Sequence, residues 1–313
     1  MALAAGILAA LLLPGTAAAA VLAVGPGKFH ATPCSAFAAA GSGDTIEIAA
    51  GTYRGDVCAI HAHKLLIRGV NGRPIIDAAG RHAMGKGTWV VLGHNITIEN
   101  VEMLGAKVPD RNGAALRLEG TGFTLRGSYL HDNENGILGG ANAASDILIE
   151  TSEFSRNGFG TGQTHNVYIG TVRSLVFRYN YTHDAHVGHN LKSRAQSNQI
   201  LYNRFSGTGL GQPSYEIDLP NAGLSRVSGN VIRQPAANQN ATLLSYGAEG
   251  ASNASDQLCV SDNAFINDDP VRGIFIQLAP SVATPAFVQN NVFVGKGGIS
   301  GRAVTQRPPA CAP

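Results

Sequence analysis

The sequence predicts an all-β protein, a single-stranded right-handed parallel β-helix in which short strands stack coil upon coil. Three observations predict it. Residues 164–206 hold two copies of one unit: His165-Asn166-Val167-Tyr168-Ile169 lines up with His189-Asn190-Leu191-Lys192-Ser193, 24 residues on. A second phrase, a strand-like run leading into Asn or Ser and ending as a rule on an apolar residue, starts at Asn100, Ser128, Ser152, Asn180, Asn203, Asn230, Asn263 and Asn291, at spacings of 23 to 33 residues. Charged residues make up only 14% of the 313-residue chain while glycine reaches 39, a balance suited to short strands and tight turns. A unit this short cannot bury its own apolar face and must stack on copies of itself. Parallel strands with no helices between them fit a solenoid better than a βαβ fold. A β-sandwich would not repeat one phrase eight times.

The elements follow in order. Residues 1–20 carry an apolar run, then Pro14-Gly15 and a small-residue tract ending near Ala20, the layout of a secretory leader. Its apolar run of about 12 residues is short of the roughly 20 a membrane span needs, and no later stretch is long enough. The expected organisation is therefore a leader over 1–20 and one β-helix domain over 21–313, secreted or periplasmic and monomeric. A segment near residues 28–42 is expected to form a capping helix over the open end of the solenoid. Alternating strands follow at 43–53, 64–69 and 74–77, the first closed by a Gly turn. Four cysteines in a chain of this kind suggest two disulfides, and proximity favours Cys34–Cys58 and Cys259–Cys311. The net charge of +2 gives no electrostatic case for nucleic acid.

Stacking also predicts which side chains meet. With Val167, Leu191 and Ile217 aligned as inward residues of three successive coils, neighbouring outward positions form columns at the strand spacing of about 4.8 Å. One column is Asn166, Asn190 and Glu216. The next is Tyr168, Lys192 and Asp218, with Arg194 about 6.6 Å along the strand from Lys192. His183, Asp184, His186 and His189 are expected from the preceding turn. A face lined by cations and a phenol suits an extended acidic polysaccharide, with Asn166, Asn190, His165, His183, His186 and Asn221 as sugar-binding groups. Abstraction of a uronate C5 proton needs a base and a cation to neutralise the developing enolate-like charge. Lys192 and Arg194 supply these, and Tyr168 or His189 would protonate the departing oxygen. Asp184, Glu216 and Asp218 have the oxygen donors that Ca²⁺ prefers. Three alternatives stay open: C5 epimerisation, hydrolysis by a carboxylate pair drawn from Asp184, Glu216 and Asp218, and a solenoid that only binds polysaccharide or mediates adhesion.

Two phrases carry a family resemblance. Gly43-Asp-Thr-Ile-Glu-Ile-Ala-Ala-Gly-Thr-Tyr53 resembles the first turn of right-handed parallel β-helix proteins of the pectate-lyase-like kind. Asn190-Leu-Lys-Ser-Arg, followed by Asn198-Gln-Ile-Leu-Tyr-Asn203-Arg-Phe, is similar to the phrase around the lysine base of the polysaccharide lyases that act on alginate and dermatan. The resemblance implies Lys192 as the base. That family places its catalytic Arg one turn later, where this chain has Glu216-Ile-Asp218-Leu-Pro220-Asn221, so Arg194 is expected to substitute. Fold alone does not fix the activity, because hydrolases, esterases, lyases, epimerases and adhesins share this solenoid.

Overall fold

Alternation sets the strands. In Thr45–Ala49 the isoleucines at 46 and 48 are fully buried while their neighbours are half-buried, as the two-residue period of a strand requires. The chain then turns twice, through Thr52–Arg54 and Cys58–Ile60, and returns as Leu66–Val70, which pairs in parallel with Thr45–Ala49. In the computed structural model, which describes residues 18–311, this circuit repeats to the C-terminal end. Each coil adds one strand to each of three parallel sheets, of twelve, ten and ten strands. The first sheet begins with Val21–Val24, the second with Thr52–Arg54 and the third with Cys58–Ile60. The expected leader lies outside the described residues except for its end, where the backbone of Ala20 bonds Asp44 and Thr45. Among the described residues no helix is long and apolar enough to cross a membrane.

Inward side chains fill a continuous core. Phe154, Phe177 and Phe205 follow one another with ring centroids 6.1 Å apart at each step, and all three are fully buried. The recurring Asn forms a ladder at the corner between the first and second sheets. Asn203 Nδ2 donates to Phe177 O and to Asn230 Oδ1, while Asn203 Oδ1 accepts from the backbone and side chain of Asn180. The same pattern continues through Asn230, Asn263 and Asn291. These amides satisfy backbone groups that the bend removes from the sheets. One expected position shifts: the ladder starts from Val101 N, bonded to Ser128 Oγ, while Asn100 occupies the left-handed turn one residue earlier (φ 55°).

The expected cap is present as the helix Pro33–Ala39. Thr32 and Ser35 form a capping box at its start, and Pro33 sits at the first helical turn. Its Phe37 meets Trp89 edge-on at 5.0 Å, closing the N-terminal end of the core. The disulfides are Cys34–Cys58, which ties this helix to the third sheet, and Cys259–Cys311, which holds the C-terminal tail.

Candidate active site

Register decides which side chains share a face. On the third sheet Tyr168 pairs with Lys192 and Lys192 with Asp218, so the three stand in one outward column. Ser245 is next in that column. Their inward neighbours Val167, Leu191 and Ile217 are fully buried, which locks the register: a one-residue slip would turn every core residue to solvent.

Arg194 directly follows the strand Leu191–Ser193, and its backbone N–H bonds Ile169 O at 2.9 Å. Its Nε donates to Tyr168 Oη at 2.8 Å and its Nη1 to Asn221 Oδ1 at 2.6 Å. Lys192 Nζ lies 2.8 Å from Glu249 Oε1 and 3.4 Å from Asp218 Oδ2. The second oxygen of Glu249 accepts from Arg194 Nη2. Both cations also stand within 6 Å of the Tyr168 ring, at 5.9 and 5.8 Å from its centroid, inside cation–π range. The outward charges of the first sheet behave differently: Glu47 and Arg68 pair off, as do Glu99, Arg126, Glu150 and Arg178, forming an alternating ladder.

Burial tunes the groups under this face. It raises Asp218 above the usual carboxylate range, against the pull of Lys192. It pushes Glu216 up to about 8. Asp218 Oδ1 and Glu216 Oε1 are buried without a hydrogen-bond partner. For Glu249, burial is outweighed by the hydrogen bonds from Lys192 and Arg194, which hold its carboxyl below the ordinary range. Burial, with the charges of Lys192 and Arg194, lowers His165 to about 3. Burial, His165 and Lys192 take His189 well below its ordinary value. Both imidazoles are neutral at neutral pH.

Several expected positions need correction. Asn166, Asn190 and Glu216 are not an outward column. They precede their strands, at the corner where alternation no longer applies, and all three are fully buried. They form an internal chain: Asn166 Nδ2 donates to Asn190 Oδ1 and Asn190 Nδ2 to Glu216 Oε2, each at 2.6 Å. His183 and Asp184 belong to another face. The strand Tyr181–His183 lies in the second sheet, where His183 stacks on Tyr181 and contacts Asp184 Oδ2 at 2.7 Å and Glu153 Oε1 at 3.1 Å. His186 is exposed on the connecting loop. Asp184 follows a strand of the second sheet while Glu216 precedes, and Asp218 lies on, a strand of the third, and among the described residues no group of three or more His, Cys, Asp or Glu is arranged to hold a metal ion.

His165 and His189 lie beside the site but beneath its surface. They stack at 4.5 Å, and each Nδ1 accepts a backbone N–H from the next coil, of His189 and of Tyr215. His63 and His94 do the same elsewhere, with Nδ1 accepting from His94 and Thr121. The shared pattern marks a coil-stacking device. Among the described residues, the contact of His189 with the charged column is to Asp218, with Nε2 3.6 Å from Oδ2. Sequence reasoning missed Ser245 and Glu249. Ser245 was within reach by extending the register one coil further. Glu249 was not, because it sits on a loop that folds back across the face.

No protein-family model and no curated protein sequence matches the chain. Solved structures do. A pectate lyase is similar over 92% of this chain and 78% of its own, with a TM-score of 0.69 at 16% identity. The A-module of a mannuronan C-5 epimerase from Azotobacter vinelandii covers 87% of this chain and 93% of its own, with a TM-score of 0.56 at 13% identity. An alginate lyase from Paenibacillus covers 91% and 99%, with a TM-score of 0.55 at 13% identity. At these identities the likeness is one of fold. The chain has the parallel β-helix fold that these structures share.

Proposed function

We propose that the protein acts outside the cytoplasm on a uronate-containing polysaccharide, as a lyase that abstracts the C5 proton and eliminates the glycosidic oxygen. One observation carries the reading: Tyr168, Lys192 and Arg194 share a single outward face, joined by the 2.8 Å contact from Arg194 Nε to Tyr168 Oη. Two disulfides fit an oxidising compartment. The solved structures of similar fold include proteins titled pectate lyase, alginate lyase and mannuronan epimerase, which supports an acidic polymer as substrate by analogy of fold.

In this reading Arg194 holds the uronate carboxylate and stabilises the negative charge that grows on it. Lys192, as the free amine, takes the C5 proton. The released electron pair forms the C4–C5 double bond, the C4–O bond breaks, and the leaving oxygen receives the phenolic proton of Tyr168. Asn221 fixes the guanidinium from the far side. His165 and His189 hold the coils beneath in register.

The test is incubation with alginate, pectate and glucuronan, with and without chelator, followed by ultraviolet absorbance. Unsaturated ends that absorb are the expected product. Deuterium entering C5 from solvent without chain shortening would replace elimination by epimerisation. Retention of polymer with neither change would leave a binding protein.

A further inference from the structure

Glu249 does not belong to the coils that build the site. It comes 57 residues after Lys192 and 55 after Arg194, on the loop that follows the strand Thr242–Tyr246, and lies across the face from outside. Its side chain is 44% exposed, whereas those of Lys192 and Arg194 beneath it are 12% and 21% exposed. The loop is pinned at this residue and just beyond it. Glu249 N bonds Pro220 O, Asn221 Nδ2 bonds Ser252 Oγ, and Asn253 Nδ2 bonds Ala195 O. Gly247 and Gly250, at φ 80° and 108°, flank the residue with backbone that other L-residues rarely adopt.

The geometry points to Glu249 as an internal ligand: its carboxylate occupies the subsite of a free substrate carboxylate, and an unesterified uronate displaces it. The inference rests on the proposed function, since it names what the Lys192–Arg194 pair recognises. One oxygen on the Arg194 guanidinium is the contact the uronate carboxylate makes in the proposed reaction, and the other covers the Lys192 nitrogen that the reaction needs free. The carboxylate of Glu249 is held from the solvent side and exchanges its guanidinium contact for the same contact on another carboxylate, so the exchange costs little. A neutral or esterified sugar gains nothing comparable. Displacing Glu249 with such a sugar would leave the partly buried Arg194 without its counter-charge, and the contact thereby selects for the free acid.

The test compares binding of four-residue oligogalacturonate and oligomannuronate to the full chain and to Glu249→Gln, by calorimetry. Removing the competing carboxylate is expected to tighten binding about tenfold, the gain when a site open about a tenth of the time becomes always open. Arg194→Ala added to Glu249→Gln should abolish that gain, and Glu249→Ala should reproduce it should glutamine disturb the loop. Equal or weaker binding by both Glu249 variants would overturn the inference even if the protein proves to be a lyase. Tighter binding without turnover would uphold it and count only against elimination. Failure of every form to bind either oligomer would overturn both.

Discussion

Glu216 and His165 are buried a few residues from the same face, and burial moves them in opposite directions. Glu216, raised from 4.5 to about 8, binds its proton more tightly in the folded chain. Its contribution to stability is complete below pH 4.5 and is lost as pH rises toward 8. His165, lowered from 6.5 to about 3, contributes fully above pH 6.5 and loses that contribution as pH falls toward 3. Between 6.5 and 8 only the carboxyl has a slope, and that slope is downward. Calorimetric melting of Glu216→Gln should therefore fall less with pH across this window than that of the parent chain. Parallel curves would mean that Glu216 ionises freely in the fold.

At the scale of elements, the asparagine ladder separates a structural repeat from a functional one. Asn203→Ala leaves Phe177 O and the backbone N–H of Asn180 without the partners they have now. At about 1–3 kcal/mol for each buried group left unpaired, the substitution should cost roughly 2–6 kcal/mol in urea unfolding. The same repeat shows what was legible beforehand. The Tyr168–Lys192–Asp218 column could be read from sequence because Val167, Leu191 and Ile217 must all point inward, which leaves one register. Asn166, Asn190 and Glu216 misled because a corner residue turns inward whatever the strand parity, and an amide or acid there finds partners in the neighbouring coil. By composition His189 reads as catalytic and His165 as sugar-binding. Only the backbone N–H groups on their Nδ1 atoms show the stacking role.

For the whole molecule, a solenoid has two ends and must protect both. The N-terminal end is covered by the helix Pro33–Ala39. At the other end Val292, Val294 and Ile299 remain exposed on the last coils, and the chain beyond them is tied back by Cys259–Cys311, a separation of 52 residues. On loop-closure grounds, replacing both cysteines by alanine should cost about 4 kcal/mol, read as a lower melting temperature in the oxidised protein. The cysteine pairing and the cap were legible because each follows from local composition or sequence proximity. The path of the loop that carries Glu249 was not. Its course is set by contacts with Pro220 and Asn221 one coil back and Ala195 two coils back, and no local pattern encodes them.

The central claim is that an amine on the outer face of the third sheet removes a uronate proton. Lys192→Ala tests it most directly, because the side chain is partly exposed and makes no part of the core. Turnover of the acidic polymer should fall to background while the melting temperature stays within a few degrees of the parent. Retained activity in a folded Lys192→Ala protein would contradict the assignment and move the base elsewhere.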